Sequence, residues 1–156
     1  RFILGEDGRA VSFTGDDFLA VPPKTLCGTS TNIGMIYTEI ILKKENTILN
    51  NIIKAGQPTA LKDLVSYEEG SIANVDLVHA DNMKFVLMAF DAGTSLPPHR
   101  APGNAILTAL EGKAIIDYEG QDYELNAGES FRLDKNGLHG VTAQGRIKMS
   151  LLLVLE

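Results

Sequence analysis

At 156 residues the chain is long enough for one packed domain, or for one domain and a fragment of another. A hydrophobic content of 44% excludes wholesale disorder, and a formal net charge of −6 excludes a general nucleic-acid binder, which needs an excess of Lys and Arg against phosphate. The single cysteine, Cys27, excludes an intrachain disulfide and makes a cytoplasmic setting the expectation, while no apolar run approaches the roughly 18 residues of a membrane-spanning helix, so no membrane partner is expected.

Fifteen glycines and six prolines are spread along the chain and separate short apolar or alternating runs, a pattern that predicts an all-β sandwich or barrel. Residues 1–42 read as a partial β segment ending in an apolar strand over Met35–Leu42, and residues 43–55 as a linker. Across that linker, Glu45–Lys54 carries Ile48, Ile52 and Ile53 at helical spacing, though its Asn and Ile content disfavours a helix. Thr59 is predicted to cap a short helical turn that runs to Val65. Strands then follow at Asn74–His79, Lys84–Asp91, Ala105–Glu111, Ala114–Tyr118, Gln121–Leu125, Ser130–Leu133 and Arg146–Leu155. Asp81-Asn82 marks one turn between them, and Tyr118–Gln121 a tight hairpin.

The chain also repeats itself. Glu6–Phe18 lies without gaps on Glu119–Phe131, with Glu, Gly, an acidic residue and Phe coinciding at 6/119, 15/128, 16/129 and 18/131. With one extra residue in the first copy, Leu26–Thr31 lies on Leu138–Ala143, which puts Cys27 in the place of His139 and Arg1 opposite Ala114. The expectation is the back half of one barrel (1–42), a linker (43–55) and a complete barrel (56–156), as in a truncated two-barrel chain. A half-barrel has bare strand edges, so residues 1–42 are expected to pair with the second barrel or with another chain.

The stretch PPHRAPGNA, Pro97–Ala105, sets a histidine between two turns. Gly93, His99, Ala101, Ala105 and Gly112 stand at the spacing G-x5-H-x-H-x3-E-x6-G, and Gly128, Asp134, Asn136, His139 and Ala143 at the spacing G-x5-P-x-G-x2-H-x3-N. Fifteen residues separate the two motifs. In these spacings residues 56–156 resemble the cupin superfamily of RmlC-like small β-barrels, and HRAPG resembles a subgroup of single-domain cupins reading H-x-A-P-G-D-A. The resemblance implies a double-stranded β-helix, or jelly-roll barrel, that holds a divalent metal such as Mn, Fe, Ni or Zn through three imidazoles and a carboxylate. It also implies homodimers formed by strand exchange. Here His99 and His139 keep two of the four ligand positions, while Ala101 and Ala105 stand at the other two. Asn104 replaces the subgroup's Asp with a weaker oxygen donor. The metal site is therefore expected to be degenerate, with an ion held weakly or not at all.

Three roles stay open for His99 and His139: metal ligands, hydrogen-bonding groups for an organic ligand, or structural histidines satisfied by neighbours. Asn104 is a candidate polar group at the barrel mouth, and Met88, Phe90 and Met149 are candidate cavity-lining residues, since small barrels bind ligands inside. Arg100, next to His99 on a strand, is expected to point outward into a surface salt bridge, His79 to lie at the surface, and Cys27 to be a buried thiol. The expected function is binding of a small polar or sugar-like molecule in the barrel. The alternative is a metal-dependent isomerase, decarboxylase or dioxygenase acting on a small sugar or organic acid, with no catalytic residue identified beyond the two histidines that would hold the ion.

Overall fold

The computed structural model describes residues 2–4, 9–12, 14–22, 25, 27–29, 31, 39–41 and 47–155. Four short strands come first: β1 (Phe2–Leu4), β2 (Arg9–Val11), β3 (Asp17–Leu19) and β4 (Cys27–Thr29). β5 (Ile48–Leu49) and β6 (Pro58–Ala60) follow. The barrel proper runs through β7 (Ile72–Ala80), β8 (Met83–Phe90), β9 (Ser95–Arg100), β10 (Asn104–Glu111), β11 (Lys113–Tyr118), β12 (Gln121–Asn126), β13 (Ser130–Leu133), β14 (Leu138–Ala143) and β15 (Ile147–Val154). The architecture is all-β, as the punctuation of the sequence predicts, and it is the jelly roll that the resemblance implies. Among the described residues no helix is long and apolar enough to cross a membrane.

Two antiparallel sheets face each other. One has the order β13-β10-β15-β8-β7-β5 and the other β12-β11-β14-β9. Alternation sets what lies between them. On β10, Ala105, Leu107 and Ala109 are buried while Ile106 is 45% exposed. Those three pack with Met88, Phe90, Ile116, Leu125, Leu133, Val141 and Met149 from strands of both sheets. The predicted hairpin at Tyr118–Gln121 closes in two residues, with Tyr118 paired to Gln121 and both Glu119 and Gly120 at positive φ.

β8 is buried on both faces, which is why its sequence, MKFVLMAF, reads as a nearly continuous apolar run. Met88 and Phe90 face the barrel interior, while Phe85, Leu87 and Ala89 belong to a second core on the outer side. Ile53, Val65, Leu77 and Val78 complete that second core, and Phe18, Ala20, Ile40, Leu61 and Leu64 pack against it. A polar cluster holds this cover in place. Tyr67 Oη donates to Glu111 Oε1 (2.8 Å), Arg146 Nε donates to Asp91 Oδ1 (2.8 Å), and Asp91 Oδ2 accepts the Gly70 N–H (2.8 Å). Arg146 and Lys148 both sit over the Tyr67 ring, 5.1 and 4.9 Å from its centroid. These bonds hold the Asp91 carboxyl below its ordinary range, the Gly70 N–H contributing most and Arg146 next.

Two local expectations are corrected. Ile48 and Leu49 form an edge strand on β7 rather than a helix, and residues 51–53 turn, so that Ile53 alone of the three isoleucines is buried. Thr59 lies in β6, not at a helix cap. The helical piece is one 3-10 turn over Leu61–Leu64, preceded by Ala60 with no side-chain cap.

The first segment shows a sheet of order β2-β1-β4, which mirrors β12-β11-β14. The register is the same as well. Ile3 pairs with Ala10 as Ile116 pairs with Tyr123, and Ile3 pairs with Gly28 as Ile116 pairs with Val141. Residue numbers differ by 113 at every one of these positions, β4 included. Cys27 therefore matches Gly140 and not His139, and it is exposed rather than buried. β3 pairs with β6, and the Phe18 ring lies 6.0 Å from that of Phe85. The expected strand Met35–Leu42 falls largely outside the described residues.

Candidate functional site: a histidine pair in the barrel wall

The two histidines come from adjacent strands, β9 and β14, and face each other directly across the pair. Their ring centroids are 4.3 Å apart and the planes are inclined by 53°. β9 carries Pro97 and Pro98, which donate no N–H, and it sits at the edge of its sheet, the place where a strand tolerates proline. The register slips there: His99 opposes His139, but Leu96 opposes Val141, so Pro97 and Pro98 together face Gly140. This bulge decides the geometry. In a regular strand residues 96 and 99 would point to opposite faces; the extra residue brings both into the cavity. Gly140 leaves room for it, since a Cβ there would stand 3.2 Å from Leu96 O and 3.4 Å from Pro98 N.

Both rings are pinned in the same way. His99 Nδ1 lies 2.9 Å from Pro97 O, and His139 Nδ1 lies 3.0 Å from Gly137 O. A carbonyl oxygen only accepts, so Nδ1 carries a proton in each ring, and in a neutral ring Nε2 then presents a lone pair. Among the described residues neither Nε2 has a protein partner. His139 is buried, at 5% exposure, while His99 is exposed. Burial pushes the His139 imidazole below its ordinary range, with a smaller downward push from the charge of His99. The bond to Gly137 O acts in the opposite direction.

The cavity behind the pair has a volume of about 160 Å³. Met88 and Met149, both expected from the sequence, line it. Leu96, Leu107, Val141 and Leu151 line it too and were not anticipated. Val141 and Leu151 stand two residues on from His139 and Met149, so strand alternation alone could have found them; Leu96 was hidden by the bulge. Phe90 and Asn104 lie elsewhere. Phe90 is fully buried between the sheets without bordering the cavity. Asn104 Oδ1 accepts the Lys135 N–H (3.0 Å), and its side chain borders a shallow outer groove with Ile106, Arg132, Leu152 and Val154. Arg100 points outward as expected, with Nη1 3.5 Å from Glu119 Oε1 and a further bond to Asn136 O. His79 is exposed on β7, 3.9 Å from Asp76 Oδ2.

The donor set does not fit a resident four-ligand metal. It supplies two imidazole nitrogens, and among the described residues no group of three or more His, Cys, Asp or Glu converges. Ala105 is 2% exposed, and Ala101 is partly buried against the same core. The two positions at which the motif would carry further ligands thus still face the interior, without donor atoms.

Comparison with known proteins places this geometry. The model of the cupin domain family matches residues 86–155. A cupin superfamily protein from Desulfitobacterium hafniense DCB-2 superposes with a TM-score of 0.66 at 22% identity, covering 70% of this chain and 99% of that one. A conserved protein of unknown function from Streptococcus pyogenes gives 0.65 at 24%, covering 69% and 94%. A cupin 2 conserved barrel domain protein from Leptotrichia buccalis gives 0.60 at 37%, covering 62% of this chain but 47% of that one. No curated protein matches the chain.

Proposed function

The chain belongs to the cupin superfamily, and from that premise we propose that its barrel binds a small molecule whose polar end meets His99 and His139, any metal there being held weakly. The observation that carries this reading is the pair of imidazoles, fixed by backbone bonds at Nδ1, in the lining of a cavity whose other lining residues are apolar. A pair of fixed acceptors in an apolar pocket orients a ligand without needing an ion. The proposal places the protein in a reducing, cytoplasmic setting and pairs it with a second copy. Ile48 and Leu49 of the edge strand β5 are 71% and 42% exposed, and Ile52 is 43% exposed, an apolar margin suited to a partner. A one-chain mass by light scattering at micromolar concentration would remove the dimer.

Elemental analysis of protein purified without chelator tests the central claim, with His99→Ala and His139→Ala as controls. Substoichiometric metal is expected, together with a melting temperature little changed by Mn, Fe, Ni or Zn. One equivalent of metal, lost in both variants, would replace the binding reading with the metal-dependent isomerase, decarboxylase or dioxygenase.

A further inference from the structure

Within that binding reading, on which it rests, we propose that the occupant is a neutral molecule about the size of one six-membered ring, carrying a single hydroxyl that donates to the histidine pair. Phenol is the simplest member of the class, in place of the polar or sugar-like ligand expected from the sequence. Three observations converge on it. The first is size: the cavity is about 160 Å³, and an apolar cavity of roughly 150 Å³ is enough for benzene. The second is the wall. Six of the eight lining residues are Met88, Leu96, Leu107, Val141, Met149 and Leu151, and the other two are the histidines. A sugar would leave most of its hydroxyls facing methyl and thioether groups with nothing to bond.

The third is the polarity of the one polar end. With Nδ1 of each ring committed to a backbone carbonyl, a neutral imidazole offers only an acceptor at Nε2. An acceptor selects a ligand O–H and discriminates against a carboxylate, which brings negative charge and no proton to donate. The ring of His99 is exposed and that of His139 buried, so a hydroxyl bonded to His99 lies toward solvent while the ligand's ring packs among the apolar lining residues.

The test is a titration of the full chain at pH 7.5 with phenol, toluene, benzoate and glucose, followed through the methyl resonances of Met88 and Met149. Phenol is expected to shift both methyls with a dissociation constant in the millimolar range. Toluene should bind about tenfold more weakly for want of the hydroxyl, and benzoate and glucose should leave both methyls unmoved. His139→Leu should equalise phenol and toluene. Toluene binding as tightly as phenol in the unsubstituted protein would overturn the role of the histidines. Benzoate or glucose moving the methyls where phenol does not would overturn the ligand class and leave the binding reading standing. Failure of all four probes, with one equivalent of Ni or Zn bound instead, would remove both.

Discussion

A proton added to His139 has to be accommodated in a buried position beside a second imidazole, and this gives the protein a specific acid response. The folded state holds His139 below its ordinary value of about 6.5. Above that value both folded and unfolded chains carry it neutral, and it adds nothing to the pH dependence. As pH falls below it, the unfolded chain takes the proton first, and stability drops until the folded value is passed. Asp91 acts in a lower window. Its carboxyl is held below the ordinary 3.8, so the stability it contributes is present above that value and is lost as pH falls through it. The urea midpoint should therefore decline from pH 7 to pH 5, and His139→Gln, which does not titrate, should flatten that decline while leaving the fall below pH 4. A decline equally steep in the variant would assign the response to another group. Ala101 and Ala105 give a second residue-scale prediction. Because both face the interior, Ala101→His with Ala105→Glu should create a site that takes one equivalent of Ni. The metal-free double variant should melt lower than the parent, since it buries a carboxylate, and recover on metal addition, as read by calorimetry.

At the scale of the strand, the bulge in β9 is what aims His99. Deleting Pro98 restores a regular register and turns either Leu96 or the histidine out of the cavity. In that variant the nuclear Overhauser contacts should vanish either between the two imidazole rings or between Leu96 and Val141, while the rest of the barrel keeps its pattern. A different kind of strand junction lies at Gly112, whose φ is +78° and whose absent Cβ would fall 2.1 Å from Arg146 O. Gly112→Ala should destabilise the fold by at least about 2 kcal/mol in denaturant titration. These junctions explain what could be read in advance. β8, β10, β11, β12, β13 and β15 were legible to within a residue or two because each is an apolar or alternating run closed by Gly, Asp or Asn. β9 and β14, the strands that carry the site, were set on strands only through the motif that places His99 and His139, and their own sequences gave no bounds. β9 contains two prolines and an off-phase bulge, and β14 reads LHGVTA, with a glycine and a histidine where a strand normally shows apolar residues. The histidines themselves were found through motif spacing, which survives such irregularity because the positive-φ positions fix it. Gly93, Gly112 and Gly128 all adopt left-handed backbone, and so does Asn136 at a position where the motif has glycine. Asn104 was misplaced because its neighbour Ala105 takes the inward direction, which sends Asn104 to the other face.

For the molecule as a whole, Phe18, Ala20 and Ile40, with Ile53, Leu61, Leu64 and Val65, form a cover on the outer face of the six-stranded sheet, and the Tyr67 cluster is its fastening. Tyr67→Ala removes one hydrogen bond and two cation–π contacts, and should cost about 2–3 kcal/mol. Residues 47–71 should then be cut first in limited proteolysis, before any cleavage within β10 or β15. Unchanged proteolysis would mean that the apolar contacts of Phe18, Ile53 and Val65 hold the cover unaided. The placement of β9 has a consequence for time as well as for shape. Among the described residues this strand has one neighbour; it lacks two amide protons and carries the exposed ring of the histidine pair. For a ligand bound as proposed, the rate of entry and exit would then be set by fraying along one seam, separate from the rate at which the barrel comes apart. The amides of Leu96 and His99 should exchange with deuterium through this fast opening, and those of Ile116 and Val141 only through global unfolding. In the proposed binding role, the barrel would be slow to unfold and still exchange its ligand quickly.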